Sequence, residues 1–248
     1  TVSILLIREN SPKKKNGYKE VVLTGIHIGK YGSDLMDGIN LTKLLLEIGK
    51  NRLQLRIRLS SLEPAEIEPE LIKLMAGHDW LCRHFHISLQ SGDDAVLKRM
   101  KRHYSTRMFT GVIHDINRLV PDVSIGADVL VGFPGESDRA FNNTFDLLKD
   151  IPISYLHVFP YSRREGTVAA RLSNQLDHKT IKERAFLLRR LDKKKRKIFW
   201  GSLVGETFSV LTEGWVPGDR GLIRGLSDNY VKVIFPSNSL IKNKIVNV

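Results

Sequence analysis

The sequence predicts an α/β fold: an open or partial barrel of parallel strands, followed by a small all-β module. Three observations carry this. Five short β-branched or apolar runs alternate with stretches of helical spacing between residues 20 and 160. A long charged segment with helical spacing follows at 177–200. After Gly201 the helical pattern stops, and turn signals separate short strand-like runs. Strand–helix repetition with short connections gives βαβ units and a parallel sheet. Five strands in about 140 residues do not suffice for a closed eight-stranded barrel.

The strands are read at Glu20–His27, Leu53–Leu59, His84–Leu89, Val123–Val131 and Tyr155–Phe159. Helical spacing falls at Gly38–Gly49, Glu66–Ala76, Asp93–Met100, Thr106–Leu119 and Ser137–Leu148. Ser105 with Thr106, and Ser137, mark helix starts, and Phe109, Val112, Ile113 and Ile116 form one apolar stripe. In the long helix from Asp177 to Trp200, the residues Ile181, Ala185, Leu188, Leu191 and Ile198 mark the buried side. In the tail, Thr207–Leu211 and Asn229–Phe235 read as strands. Pro217-Gly218-Asp219 and Ser227-Asp228-Asn229 read as turns. The domain boundary is therefore expected near Trp200–Gly205, giving units 1–200 and 201–248.

A hydrophobic fraction of 42% is enough to bury a sizeable core. No apolar run approaches the roughly 18 residues of a membrane span, so no membrane partner is expected. Thr1–Ile7 is too short for a signal peptide, and a cytoplasmic protein is the default expectation. The net charge of +12 and pI near 9.8 favour a polyanionic partner, nucleic acid first and an anionic membrane surface second. A basic enzyme whose charge does little is the plain alternative. The run Lys193-Lys194-Lys195-Arg196-Lys197 is either a phosphate-contacting surface or a solvated helix face.

The single cysteine, Cys82, excludes an internal disulfide and a cysteine-built metal or iron–sulfur site. Its apolar surroundings predict a buried thiol. His27 and His86 have no partner at metal-ligand spacing, so packed or hydrogen-bonded histidines are expected and no metal site is assigned.

Polar residues stand at the C-terminal ends of four strands: Thr24–His27, Ser60–Pro64, Gln90–Gly92 and Gly132–Ser137. Ligands bind at that end of parallel α/β sheets, so four such loops in register predict a common ligand site. Asp128 lies in an otherwise apolar run. A buried carboxylate is costly without a partner, so Asp128 is expected to face a polar cavity or a structural arginine.

Six segments, in order and spacing, resemble the methylthiotransferase family of radical S-adenosylmethionine (SAM) enzymes. They are Val22-Leu23-Thr24-Gly25-Ile26-His27-Ile28-Gly29-Lys30-Tyr31-Gly32, Arg58-Leu59-Ser60-Ser61-Leu62-Glu63-Pro64 and His86-Ile87-Ser88-Leu89-Gln90-Ser91-Gly92, then Met100-Lys101-Arg102-His103-Tyr104, Ala127-Asp128-Val129-Leu130-Val131-Gly132-Phe133-Pro134-Gly135-Glu136 and Phe159-Pro160-Tyr161-Ser162. The resemblance spans about residues 12–235. The tail, with Glu213-Gly214 and Gly225-Leu226-Ser227-Asp228-Asn229-Tyr230, looks like the TRAM module, an RNA-binding β-barrel. The wording of Thr24–Gly32 is most similar to the branch acting on threonylcarbamoyladenosine (t6A) next to the tRNA anticodon.

The resemblance implies an incomplete TIM-like radical-SAM barrel with a TRAM-like tail, and the tRNA anticodon stem-loop as partner. It implies a [4Fe–4S] cluster on a CxxxCxxC loop, reductive cleavage of SAM, hydrogen abstraction at adenine C2, sulfur from a second cluster and a methyl group from a second SAM. It implies that Glu63, Gln90, Arg102 and Asp128 line the SAM site, with Phe159 and Pro160 as an apolar wall. Glu63 and Arg102 would meet the amino and carboxylate groups of the methionine end, and Asp128 the ribose hydroxyls. Lys193–Lys197 would be the RNA-contacting run. The cysteine loop and the N-terminal cluster domain should lie upstream of residue 1, so no catalytic residue or metal ligand is assigned in this chain. Thr1–Lys15 matches weakly. Arg163 and Val168 stand where the family usually has proline.

The leading expectation is therefore a fragment of a tRNA methylthiotransferase, inactive by itself. The alternative is a catalytically dead RNA-binding module with a degenerate barrel. A sugar- or nucleotide-binding α/β protein would explain the loops but not the tail.

Overall fold

A computed structural model describes residues 17–35, 38–50 and 55–248. The readings on Thr1–Lys15 and on the start of the second strand at Leu53 and Gln54 lie outside the described residues.

Five parallel strands run in chain order: β1 Glu20–Leu23, β2 Arg56–Leu59, β3 His84–Gln90, β4 Ser124–Val131 and β5 Tyr155–Pro160. The β1–β2 ladder joins the β3–β4–β5 ladder through two isolated parallel bridges, Ile57 with Leu81 and Leu62 with Ile87. Four backbone bonds make this seam, from Ile57 N–H to Trp80 O (2.7 Å), Cys82 N–H to Ile57 O (2.8 Å), Leu62 N–H to His86 O (2.9 Å) and Ser88 N–H to Leu62 O (3.0 Å). β1 is shorter than expected. Its partner β2 ends at Leu59, so beyond Leu23 the chain turns away and Thr24–His27 form a loop.

The helices are α1 Leu41–Lys50, α2 Pro69–Gly77, α3 Asp94–Arg99, α4 Thr106–Leu119, α5 Asp138–Asp150, α6 Val168–Arg171 and α7 His178–Ser202. Ser105 and Ser137 cap α4 and α5 by accepting from Met108 N–H and Ala140 N–H, both at 3.2 Å. Asp177 caps α7 through Thr180 N–H (2.9 Å). Such caps satisfy backbone donors that the first helical turn leaves unpaired. α2 starts later than expected. Glu66 belongs to a separate 3-10 turn, Pro64–Glu66, and Pro69 opens the helix.

Alternation along each strand separates two faces. Ile57, Leu59, Phe85, Ile87, Leu89, Ile125, Ala127, Val129 and Val131 are buried in one apolar core with α1, α2, α4, α5 and α7. Burying one such side chain contributes about 1.5–3 kcal/mol. The opposite, concave face carries Glu20, Arg56, Arg58, His84, His86, Asp128, Tyr155 and His157.

The tail is a four-stranded antiparallel sheet of β6 Ser209–Val216, β7 Asp219–Ser227, β8 Lys232–Pro236 and β9 Ile245–Asn247, in the order β8-β7-β6-β9. β6 begins later and runs further than expected. β7 and β9 were not expected at all. In β7, Gly221, Gly225 and the two polar residues at its start, Asp219 and Arg220, obscure any alternation. Gly225 is required there, because a side-chain carbon would stand 2.6 Å from Leu211 O. Residues 228–231 form the turn before β8, so the last expected strand starts at Lys232 rather than Asn229. The turn read at Pro217-Gly218-Asp219 is the β6–β7 hairpin, with Gly218 at φ +85°.

Buried arginines of β2 bind this sheet to the parallel strands. The Arg56 guanidinium donates to Ser209 O and Leu226 O (both 2.7 Å). Arg58 donates to Asp228 O (3.1 Å) and Ser227 O (3.0 Å). Both pair with Glu20 of β1. At the rim, Arg83 binds Asp228 Oδ2 (2.8 Å) and Asn229 donates to Asp122 O (3.0 Å).

Candidate cofactor and substrate site

Two cavities adjoin on the concave face. The first, about 360 Å³, lies at the C-terminal ends of β1, β2 and β3 and takes its walls from the loops Thr24–His27 and Ser60–Glu63, with Ser88 and Arg102. Arg102 Nη1 donates to Glu63 Oε1 (2.6 Å). His27 Nδ1 lies 3.1 Å from Glu66 Oε1, and Glu66 Oε2 accepts from Glu63 N–H (3.1 Å). Glu66 is buried and packs against Gly29, where a side-chain carbon would collide with Glu66 Cβ.

The second cavity, about 400 Å³, lies over β3, β4 and β5 and is lined by Arg58, His84, His86, Asp128, Tyr155, His157, Phe159 and Tyr230 among others. Ser60 and Ser61 border both cavities. The Ser60 hydroxyl is buried without a hydrogen-bond partner in the protein, which suits a polar ligand atom from either side.

A directed hydrogen-bond chain crosses the second cavity. Tyr155 Oη lies 2.8 Å from His84 Nε2 and 3.0 Å from His86 Nδ1. His86 Nε2 lies 2.7 Å from Asp128 Oδ1, and His157 Nδ1 lies 3.5 Å from the same oxygen. An ionised carboxylate only accepts, so His86 donates from Nε2. His86 Nδ1 then accepts from the Tyr155 hydroxyl, and Tyr155 accepts from His84 Nε2–H. This assignment leaves His84 Nδ1, which is buried and unpartnered, as a lone pair rather than an unsatisfied N–H.

Electrostatics agree with that direction. Burial alone would raise the Asp128 carboxyl, but hydrogen bonds from His157 and His86 outweigh it and hold it well below the usual carboxylate range. Burial, with the Arg58 charge nearby, keeps His84 well below the usual imidazole range, hence neutral. Burial pushes the Tyr155 phenol upward.

Of the sequence-predicted site residues, Glu63 and Arg102 meet in the first cavity, and Asp128 and Phe159 in the second. Gln90 ends β3 at a register shift, at φ +65°. Pro160 lines a third cavity of about 590 Å³ between the β5 loop and α7, with Arg163, Lys182 and Arg189. The loop Gly132–Ser137 is fastened to α7. Glu136 accepts from Gly132 N–H (3.0 Å) and Arg184 (2.7 Å), and a side-chain carbon at Gly135 would collide with Arg99.

The basic run divides. Lys195 is half-buried and donates to Ile151 O (2.6 Å). Arg196 pairs with Asp192 (2.9 Å) and lies 4.7 Å from the Tyr155 ring centre. Lys193, Lys194 and Lys197 are exposed.

His27 and His86 each find a carboxylate, and each belongs to a larger group. His86, Asp128 and His157 bring their ligand atoms within 4.8 Å of one another, as do His27, Glu63 and Glu66. These distances also suit a cation, which sequence spacing concealed because each group draws on separate segments. Sequence reasoning also missed His84, Tyr155, His157, Arg58 and Tyr230. The period-2 polar positions His84-x-His86-x-Ser88 and Tyr155-x-His157 were the available signal.

Cys82 is buried, its Sγ 3.8 Å from Glu20 Oε2, and burial pushes its thiol up to about 12. One buried, protonated thiol does not fit an iron–sulfur cluster, which takes several thiolates. The first cavity, with its opposed charges and the free Ser60 hydroxyl, does fit a zwitterionic ligand such as SAM.

Residues 6–148 match the radical SAM superfamily, more than half of the chain. The chain belongs to the radical SAM superfamily. This radical SAM chain is 39% identical over 236 residues to the threonylcarbamoyladenosine tRNA methylthiotransferase MtaB of Bacillus subtilis, covering 94% of the chain and 52% of that protein. Against MtaB of Aquifex aeolicus the identity is 42% over 210 residues, covering 82% and 51%. Against the tRNA-2-methylthio-N(6)-dimethylallyladenosine synthase of a Thermoanaerobacter species it is 32% over 243 residues, covering 98% and 52%. The methylthiotransferase resemblance read from six segments is thus borne out. The chain spans about half the length of the curated relatives it matches. Among solved structures, methylornithine synthase superposes with a TM-score of 0.52 at 13% identity, over 73% of this chain and 49% of that one, a likeness of fold alone. Among the described residues, no helix is long and apolar enough to cross a membrane.

Proposed function

We propose that this chain is the greater part of the barrel and the RNA-contacting tail of a tRNA methylthiotransferase that acts on an N6-modified adenosine beside the anticodon. The observation that carries the reading is the pair of adjoining cavities sharing Ser60, one zwitterionic and one aromatic, on the concave face of five parallel strands. In this reading residues 1–200 form an incomplete radical-SAM barrel and 201–248 a TRAM-like module, in a cytoplasmic enzyme.

Glu63 and Arg102 stand 2.6 Å apart with opposite charges, the pattern that the ammonium and carboxylate of an amino-acid end require. Asp128 and Phe159 border the adjoining aromatic cavity, Pro160 the cavity beyond β5, and Gln90 ends β3, so the SAM-binding part falls to Glu63 and Arg102. Bound SAM supplies the methyl group and, with a reduced cluster, the radical chemistry. No described residue of this chain supplies the cluster's thiolates. The chain's own part is to bind, orient and exclude water. Lys193, Lys194 and Lys197 offer free charge to the anticodon stem-loop.

A second reading is an RNA-binding module without catalysis. The deciding experiment expresses the gene's complete coding sequence in a strain lacking tRNA methylthiotransferases, then analyses tRNA nucleosides by mass spectrometry. Methylthiolated threonylcarbamoyladenosine is expected. Unchanged nucleosides from well-expressed protein would overturn the enzyme reading and leave the binding module.

A further inference from the structure

We infer that the cavity over β3–β5 takes the adenine nucleoside, and that His157, held by Asp128, recognises a carboxylate on its N6 substituent. The inference rests on the function proposed above and names the group that reads the substrate. The cavity's aromatic rings suit a base. Tyr230 and Phe159 are 41% and 50% exposed, and Tyr230 stacks on His84 with ring centres 4.2 Å apart. Partly exposed rings on a protein surface are platforms for unstacked bases.

The cationic candidates around the cavity can be eliminated one at a time. Arg58 is buried and engages Glu20 and two backbone carbonyls of the tail. His84 is buried and neutral, with its proton directed at Tyr155. His86 is buried between Tyr155 and Asp128. His157 alone among these is about half exposed, and its one carboxylate contact is long, 3.5 Å from Nδ1. The ring therefore has Nε2 free. When both nitrogens carry hydrogen, Nδ1–H stays on Asp128 and Nε2–H donates to an anionic ligand. A cavity built for a purely hydrocarbon substituent would gain nothing from that donor. A threonylcarbamoyl group, which ends in a carboxylate, would.

The test measures binding of this chain to three synthetic anticodon stem-loops that differ only at the target adenosine: unmodified, dimethylallyl and threonylcarbamoyl. Fluorescence anisotropy at fixed salt gives the affinities. The threonylcarbamoyl RNA is expected to bind about tenfold tighter than the unmodified one, the size of one charge-assisted hydrogen bond. In His157→Phe that ratio should collapse toward one, and His157→Gln, which keeps an N–H donor, should retain part of it. Circular dichroism checks that both variants fold. A ratio that survives in His157→Phe overturns the inference. Equal binding of all three RNAs by the unmutated chain also overturns it, while leaving the RNA-binding reading intact. Failure to bind any of the three overturns the RNA reading itself, and this inference with it.

Discussion

The ring of Tyr155 lies directly across Gly126 of the neighbouring strand: a side-chain carbon on Gly126 would overlap Tyr155 Cζ. That bare backbone lets the Tyr155 hydroxyl reach both His84 and His86. Alanine usually suits a strand better than glycine does, so Gly126→Ala isolates the cost of displacing the ring. We expect destabilisation of about 1–3 kcal/mol, typical of overpacking a filled site, read from urea denaturation. A variant as stable as the parent would show that the ring relaxes freely.

Glu20 links the parallel strands to the tail through two guanidinium groups, and this link is pH-dependent. Burial opposes its ionisation, but bonding and attraction from Arg58 and Arg56 outweigh that and lower its pKa below 4.5. An acid with a depressed folded-state pKa contributes stability above its unfolded pKa, and that stability is lost as pH falls through the folded value. Stability is therefore expected to decline below about pH 4.5, and Glu20→Gln should be less stable at pH 7 and less sensitive to acid. Arg58→Ala leaves Glu20 partly unpaired, and removing one partner of a buried pair costs about 3–5 kcal/mol. Limited proteolysis should then cut between Leu203 and Phe208 and release the tail sheet. Resistance equal to the parent's would mean that other contacts hold the tail.

The basic run tests the division between structure and RNA contact. Replacing Lys193, Lys194 and Lys197 with glutamine should flatten the salt dependence of tRNA binding. The slope should fall by about 0.7–0.9 for each phosphate that is no longer neutralised, with little change in melting temperature. Lys195→Gln with Arg196→Gln should do the reverse, because those side chains hold Ile151 O and Asp192. Burial lowers Lys195 to about 8. A lowered folded-state lysine pKa makes the folded protein bind fewer protons, so this residue's contribution to stability rises as pH increases from about 8 toward 10.5. An unchanged salt slope in the triple variant would assign the three lysines to a solvated face.

The five parallel strands were legible because each carries apolar residues at every second position against the helices. The C-terminal strand loops were legible for the same reason: the strands end where the pattern does. The network on the concave face was harder to read. His84, Tyr155 and His157 are polar residues in otherwise strand-like runs, and only the register of β3 and β5 on either side of β4 joins them, with His86, into one network around Asp128. Asp128 was recognisable as needing a partner, yet the sequence offered arginine as readily as histidine. Arg56 and Arg58 gave no warning of their hold on the tail, since their acceptors there are backbone carbonyls about 150–170 residues away and carbonyls have no side-chain signature. The β7 strand stayed hidden because its glycines, which permit close strand approach, also break the alternation.

Cys82 reports on the same junction. Its thiol lies against Glu20, inside the contacts that Arg56 and Arg58 make with the tail, and burial holds it protonated with a pKa near 12. The thiolate is the reactive form, so a buried protonated thiol is inert. Alkylation of the native chain with iodoacetamide at pH 8 should be slow and should become fast on unfolding in urea. Because reaching Sγ requires opening the junction, Arg58→Ala should accelerate labelling under native conditions, in parallel with its sensitivity to protease. Two such measurements on independent chemistries separate a local loss of packing from release of the whole module. Labelling that is fast in the parent would mean that the junction is already open in solution and that the arginine bonds do not close it.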